Sequence, residues 1–168
     1  MTTDPAVRLR ALGLELPTPA APVANYVPYK LVRQVPGGSQ LLYTSGMIPL
    51  ANGVPLYLGK LGAEVSLEQG VECARQCVLN ALAWVVDALG GASAEISPLT
   101  RIEAVVQVRR FVACTPDFHD HPRVLNGASD LLVEIFGDAG RHTRAAVGCP
   151  SLPLNVPVEI DFLFSVTQ

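Results

Sequence analysis

The chain carries little charge for its size. Only 16% of its 168 residues are Asp, Glu, Lys or Arg, whereas 49% are hydrophobic, and an average protein has about 25% charged residues. The net charge is −3 and the basic residues do not cluster, so the positive surface that binds DNA or RNA is missing. The excess of apolar over charged residues predicts apolar surface buried in an oligomer.

Long apolar segments are missing as well. No run of about 18 apolar residues is present, and the N-terminus lacks the basic region and the apolar run of about 7–15 residues of a secretory signal. We therefore expect a soluble, cytoplasmic protein. A length of 168 residues fits one domain, which buries about 70% of its unfolded surface.

The four cysteines form no CxxC pair, and their spacing matches neither a zinc site nor a small disulfide scaffold. Cys73 and Cys77 lie four residues apart in a helical pattern, so we expect them to pack as small hydrophobic residues. Cys149 ends the predicted strand that carries Arg144, and it is a candidate to line the same site.

Two further motifs are incomplete. The segment Gly59–Gly62 lacks the GxxxxGK[ST] order of a phosphate loop, which excludes nucleotide binding there. His119 and His121 have no acidic or cysteine partners at metal-ligand spacing, so we expect both to be exposed to solvent.

Two long segments have the apolar period of amphipathic helices. The first begins at a capping box formed by Ser66 and Gln69 and runs to about Leu89. The second runs from Pro122 to Phe136 and ends at Gly137.

A short N-terminal helix is predicted from Asp4 as the cap, Pro5 at the first helical position and Gly13 at the exit. Three prolines follow it. We interpret residues 1–22 as this helix and a proline-rich strap, and residues 23–168 as a single domain.

Three regions have the pattern of strands. Val27–Val35 and Gln40–Ile48 are predicted to form a hairpin around Pro36–Ser39, with Gly46 allowing a close approach to the backbone. Ile102–Ala113 is rich in β-branched residues and is predicted as a central strand.

In the last strand every second residue from Val156 to Val166 is apolar, and Glu159, Asp161 and Ser165 lie between them. Thr143–Gly148 precedes it, and the proline-containing segment Pro150–Pro153 between the two predicts a turn. We therefore predict an antiparallel hairpin.

A symmetric turn in that hairpin would place Arg144 opposite Glu159 and His142 opposite Asp161, with Cβ atoms roughly 4.5–5.5 Å apart. One interpretation of Arg144 and Glu159 is a surface ion pair worth about 0–1 kcal/mol. The other is a carboxylate-binding arginine beside an acid that positions or deprotonates water.

The order of these elements predicts an α+β domain with two helices on one face of a single sheet. The other face is expected to be polar and to meet other subunits. Its charged residues would be Arg144, Glu159, Asp161, Glu103 and Arg109.

Five segments together resemble the reactive intermediate deaminase (Rid, or YjgF) family, in a branch with an N-terminal extension. The resemblance covers roughly Tyr26 to the C-terminus. Its segments are Tyr43–Pro49, Gly59–Gln69, Arg123–Asn126, Thr143–Val147 and Val156–Ile160.

The resemblance implies a chorismate-mutase-like fold, with a single mixed sheet, assembled as a homotrimer with small-molecule clefts between subunits. It also implies hydrolysis of reactive enamines and imines, such as 2-aminoacrylate, to 2-keto acids and ammonia without a cofactor. By this resemblance Arg144 binds the substrate carboxylate and Glu159 holds the attacking water. Tyr29, Gly46 and Asn126 match other positions that line the cleft.

Two features depart from the family pattern. Ala146 occupies a position where many active relatives carry cysteine, and Gly148–Pro150 replaces a longer strand. The alternative function is therefore a non-catalytic trimer that binds a small carboxylate metabolite. RNA cleavage, which is attached to some relatives, does not fit the acidic balance of the chain.

Overall fold

The chain begins with a short capped helix. The computed structural model describes residues 4–19, 24–33, 38–91 and 97–167. Helix α1 (Pro5–Ala11) begins as its sequence predicts, because the Asp4 carboxylate accepts a hydrogen bond from the Ala6 amide at 2.8 Å. Leu9 of this helix is buried in the main core, so the N-terminal segment is packed onto the rest of the protein.

Seven strands are formed by the described residues. They are β1 (Tyr29–Arg33), β2 (Gln40–Thr44), β3 (Leu50–Ala51), β4 (Val54–Pro55), β5 (Ile102–Ala113), β6 (Thr143–Cys149) and β7 (Val158–Val166). Five of them form one mixed sheet in the order β1-β2-β7-β5-β6, and β3 pairs with β4 separately. The predicted first hairpin is confirmed as the antiparallel pair β1 and β2, while its turn residues Pro36 and Gly37 lie outside the described residues.

Two long helices cover one face of this sheet. Helix α2 (Leu67–Ala88) begins at the predicted capping box, in which Ser66 and Gln69 bond each other's backbone amides. Helix α3 (His121–Phe136) ends where Gly137 adopts a positive φ of 61°. The apolar faces of both helices share one core with alternate residues of β7, which confirms the predicted α+β architecture.

The predicted C-terminal hairpin is wrong. β6 is parallel to β5, and β5 is also the antiparallel partner of β7, so it lies between the two strands that the sequence pattern pairs. Chain order from β5 through α3 to β6 makes a strand-helix-strand crossover, which is the connection that parallel strands require. The opposition of Arg144 to Glu159, and of His142 to Asp161, is therefore absent.

β5 is the predicted central strand, but its faces do not alternate throughout. Irregularities in its pairing with β7 occur between Ile102 and Ala104 and between Val105 and Gln107. As a result, Val105 is buried and Val106 is exposed, although Val106 is two residues from the buried Val108. A bulge places one extra residue in a strand and so changes which side chains face the core.

Among the described residues, no helix is both long enough and apolar enough to cross a membrane.

Candidate functional site

The Arg144 guanidinium is held by α3. In the register of the sheet Arg144 is the partner of Val108, which is buried against the helices. Its Nη1 donates to Asn126 Oδ1 at 2.9 Å and to Ser129 Oγ at 3.0 Å. The predicted association of Arg144 with Asn126 is thus present, on the helix-covered face and not on the open face that the sequence pattern assigned to Arg144.

Ser129 connects Arg144 to two residues that the sequence prediction did not place in the site. The Nδ1 of His142 lies 2.7 Å from the Gly140 carbonyl oxygen, which can only accept, so Nδ1 carries the hydrogen. The Nε2 of His142 then accepts from Ser129 Oγ at 3.1 Å and from Arg110 Nη2 at 3.2 Å.

The protonation of this network is self-consistent. Ser129 donates its one hydroxyl hydrogen to His142 and accepts from both Arg110, at 3.0 Å, and Arg144. Burial lowers the pKa of His142, and the neighbouring Arg110 and Arg144 lower it further. A neutral His142 is the form that this set of bonds requires.

Arg110 is a buried cation. It is only 1% exposed, and its Nε and Nη1 have no hydrogen-bond partner in the described part of the chain. Burial, followed by the charge of Arg144, lowers the pKa of Arg110 to about 9, so it stays protonated at neutral pH. Such a group lacks the pairing that normally compensates the loss of hydration.

We call Arg110, Asn126, Ser129, His142 and Arg144 the arginine cluster. None of the ion pairs found among the described residues includes Arg110 or Arg144. The cluster therefore combines two cations with neutral oxygen and nitrogen partners. An anion, and a planar carboxylate in particular, is the ligand that such donors select.

Glu159 belongs to a different region. On β7 it is the partner of Phe111, one residue out of phase with the buried strand positions, so it lies on the face opposite the helices. Burial raises the pKa of its carboxyl group, and the nearby Asp161 raises it further. Asp161 itself is bonded by Arg109 Nε at 2.9 Å.

Gly46 provides the space that the Glu159 carboxylate occupies. A Cβ atom at this position would overlap the Glu159 side chain. The backbone is fixed there because Met47 and Ile160 exchange two hydrogen bonds, of 2.7 and 3.0 Å. The predicted close approach at Gly46 therefore involves an acid of the same chain.

Tyr29 lies near the same end of β2. Its hydroxyl donates to Asp87 at 3.2 Å, and its ring lies 6.1 Å from that of Trp84. Trp84 and Gly46 both line a small cavity of about 70 Å³ between α2 and the segment after β2.

The five predicted site residues thus form two groups. Asn126 and Arg144 lie at the β6 edge, whereas Gly46 and Glu159 lie at β2 and β7, with Tyr29 beyond them on β1. Arg144 and Glu159 also lie on opposite faces of the sheet, as the partners Val108 and Phe111 show. Neither group alone has both a cationic binding residue and an acid.

The sequence prediction of the site missed three members of the arginine cluster, Arg110, Ser129 and His142. The sequence pattern of Arg110 nevertheless indicated its position. Arg110 falls in phase with Val108 and Val112, which are core positions of β5, so the pattern already placed a charge inside. His142 lies two residues before Arg144 and so in the same strand phase, whereas Ser129 gave no signal. Cys149 does not reach Arg144, because it lies at the opposite end of β6.

Metal ligands are not brought together in residues 4–19, 24–33, 38–91 and 97–167, where no three His, Cys, Asp or Glu side chains form a group that could hold an ion.

Fold and residue placement define an α+β protein with the arginine cluster at the β6 edge of its sheet. Residues 6–166 match the family described as "YjgF/chorismate mutase-like, putative endoribonuclease". The chain belongs to this family, which is also called Rid.

Individual relatives agree with this assignment. The protein TCP17 of Trypanosoma cruzi is 39% identical over 97% of this chain and 94% of its own length. A Shewanella oneidensis structure, titled as a putative endoribonuclease, is 37% identical, with a TM-score of 0.87 over 98% of this chain and all of that one. E. coli TdcF, solved with bound serine, shares the fold at 22% identity, with a TM-score of 0.56 over 90% of this chain and 93% of its own.

Proposed function

We propose that the protein hydrolyses reactive enamine or imine intermediates of the 2-aminoacrylate type to a 2-keto acid and ammonia. The observation that carries this proposal is the orientation of Arg144 by two neutral oxygens, those of Asn126 and Ser129. An arginine held in this way keeps its charge available for a carboxylate. The serine seen in TdcF, an amino acid of that size, supports a ligand of this class.

In this mechanism Arg144 binds the substrate carboxylate through its planar fork. Water adds oxygen to the imine carbon while the nitrogen gains a proton, and the resulting carbinolamine expels ammonia to leave the keto acid. Glu159 positions the water and takes its proton. Its half-buried setting supports this role, because a carboxyl group with a raised pKa is a stronger base than an exposed one.

We further propose that the two groups meet between copies of the chain in a homotrimer. Arg144 and Glu159 lie on opposite faces of one sheet, so a complete site needs the Arg144 edge of one copy beside the Glu159 face of the next. Apolar side chains on the open part of the surface support such contact, with Phe111 40% and Val147 48% exposed. Light scattering should give three times the chain mass of 17.8 kDa, and a monomer at micromolar concentration would contradict this assembly.

The test of the reaction couples the protein to a serine dehydratase, which generates 2-aminoacrylate in solution. The protein should accelerate the release of pyruvate, and Arg144→Ala should abolish the acceleration. Arg123→Ala is a matched control, because Arg123 is an arginine of α3 itself and pairs with Asp120 at 3.2 Å. Equal pyruvate release with the wild type, with Arg144→Ala and without protein would contradict the proposal.

A second function, non-catalytic binding of a small carboxylate metabolite, is favoured by Ala146. This residue packs against the core at the position where the family resemblance implies a cysteine. Under this alternative, carboxylates raise the melting temperature of the wild type but not of Arg144→Ala, and pyruvate release stays at the uncatalysed rate.

A further inference from the structure

A thiol and an imidazole lie in contact at the opposite end of β6 from Arg144. The Sγ of Cys114 is 3.3 Å from the Nε2 of His121. Cys114 directly follows β5, and His121 is the first residue of α3. From Arg144 to Gly148, where an added Cβ would meet this pair, four strand residues span roughly 13 Å, so the pair is separate from the arginine cluster.

The imidazole has a fixed orientation. Phe118 meets His121 in an edge-on arrangement, with ring centroids 5.4 Å apart and an interplanar angle of 86°. Gly148 leaves room for the contact, since a Cβ there would lie 2.6 Å from His121 Nε2 and 2.8 Å from Cys114 Sγ. A nucleophile beside a base that is itself oriented by a third group is the arrangement of an activated thiol.

The pair also has space for a reactant. A cavity of about 390 Å³ opens beside it, and both side chains are partly exposed. The residues that line the cavity include Lys60, Cys114, Phe118, His121 and Cys149. Because α3 begins at His121, the partial positive charge of the helix N-terminus is also close to the sulfur, where it stabilises the negative charge that develops during nucleophilic attack.

The three other thiols lack this setting. Cys73 and Cys77 are fully buried, and burial raises the pKa of Cys73 to about 12 and that of Cys77 well above its ordinary value. Burial likewise raises the pKa of Cys149. Because the thiolate is the nucleophile, these three side chains serve as internal references for the reactivity of Cys114.

We propose that Cys114, with His121 as its base, is a nucleophilic site that adds to soft electrophiles of the α,β-unsaturated carbonyl class. His121 takes the thiol proton, and Sγ forms a bond to the β-carbon of the acceptor. The electron pair of the carbon-carbon π bond moves to the α-carbon, which takes the proton back from His121. The product is a thioether that contains every atom of both reactants, so no oxidant or leaving group is needed.

The test uses the full-length chain and limiting N-ethylmaleimide, with the modified cysteine identified by mass spectrometry of the digested protein. In the wild type, Cys114 should gain the mass of the whole reagent before Cys149, and faster than N-acetylcysteine at the same pH. His121→Gln should slow this reaction about tenfold or more, because a glutamine amide cannot take the thiol proton. His119→Gln is the matched control, because His119 is exposed and lines the same cavity, whereas the imidazole hydrogen-bonded to the thiol is that of His121. Its rate should stay close to that of the wild type.

Three results would each overturn the proposal. The first is the modification of Cys149 before Cys114, and the second is the modification of Cys114 no faster than N-acetylcysteine. The third is an equal rate for the wild type and a folded His121→Gln. The comparison with N-acetylcysteine needs no variant, so it decides the matter even if His121→Gln fails to fold. None of these measurements depends on Arg144 or on imine hydrolysis, so the two proposals stand or fall separately.

Discussion

The two faces of the sheet treat charge in opposite ways. On the helix-covered face, Arg110 and Arg144 share Ser129 and have no carboxylate partner among the described residues. On the other face, Asp161 is paired with Arg109, and Glu159 lies beside this pair without its own cation. One region therefore holds unbalanced positive charge, and the other holds an acid that is poorly stabilised as an anion.

This difference has a physical meaning. A buried cation without a counter-ion destabilises the folded state, because no ion pair compensates its lost hydration. A similar cost applies to a half-buried carboxylate with an acidic neighbour. Both groups therefore cost the folded chain stability, and this cost is what the proposed roles in ligand binding and proton transfer predict.

The comparison is tested most strongly at Glu159. Glu159→Gln should lower keto-acid release by about 10²-fold or more, because an amide cannot take a proton from water. The same change should not weaken the fold at pH 7. The folded carboxyl group has a raised pKa, so it retains its proton to higher pH than the unfolded one, and stability falls as pH rises through that interval. Glutamine removes this loss.

Asp161→Asn is the matched control, because Asp161 is two residues from Glu159 along β7 and lies on the same face. It breaks the bond to Arg109, a partly exposed pair worth about 0–1 kcal/mol, and should leave turnover within a few-fold of the wild type. Denaturant unfolding and the coupled assay measure the two effects. If Asp161→Asn reduced turnover as much as Glu159→Gln, the assignment of the proton-transfer role to Glu159 would fail.

The second test removes the buried positive charge. Arg110→Met should leave stability unchanged or raise it by about 1–4 kcal/mol, as replacing buried charged groups by apolar ones of similar volume often does. Binding of pyruvate should weaken by about tenfold, because a nearby cation in a poorly hydrated region is lost. Unfolding in denaturant and titration calorimetry measure the two changes.

Arg109→Met is the control for this prediction, since Arg109 has a largely exposed side chain on the other face. It should change stability by less than about 1 kcal/mol and leave pyruvate affinity unchanged. A clear loss of stability in Arg110→Met would show that the charge is compensated, and the contrast between the two faces would then be wrong.

The periodicity of apolar residues predicted the helices and strands themselves better than it predicted which strands pair. The alternation of β7 and the helical repeats of α2 and α3 specify which side chains face the core, and the structure has these elements close to the predicted bounds. Strand pairing is not encoded in that pattern. The proline-rich segment after Cys149 is compatible with a hairpin turn between β6 and β7, but also with the simple end of β6. The helix between β5 and β6, in contrast, indicates a parallel crossover.

In the candidate site, too, contacts between elements close in the chain were predicted and contacts that depend on strand order were not. Arg144 and Asn126 came together because α3 packs along β6, a contact of elements close in the chain. Arg144 and Glu159 were separated by β5, which no local pattern places between them. The contact of Cys114 with His121 was also missed, since a pair seven residues apart at a strand-to-helix connection has no periodic signature.

The smallest expected effect concerns the neutral form of His142. Burial lowers the pKa of this residue in the folded chain, so below about pH 6.5 the unfolded chain binds a proton that the folded chain does not. Stability is therefore lost as the pH falls below that value. His142→Gln has no such proton equilibrium, so its melting temperature should decrease less between about pH 7 and about pH 5, which lie on either side of the ordinary histidine pKa. His119→Gln, at an exposed position, should retain the full decrease, and an identical decrease in both variants would mean that His142 is not held neutral by the arginine cluster.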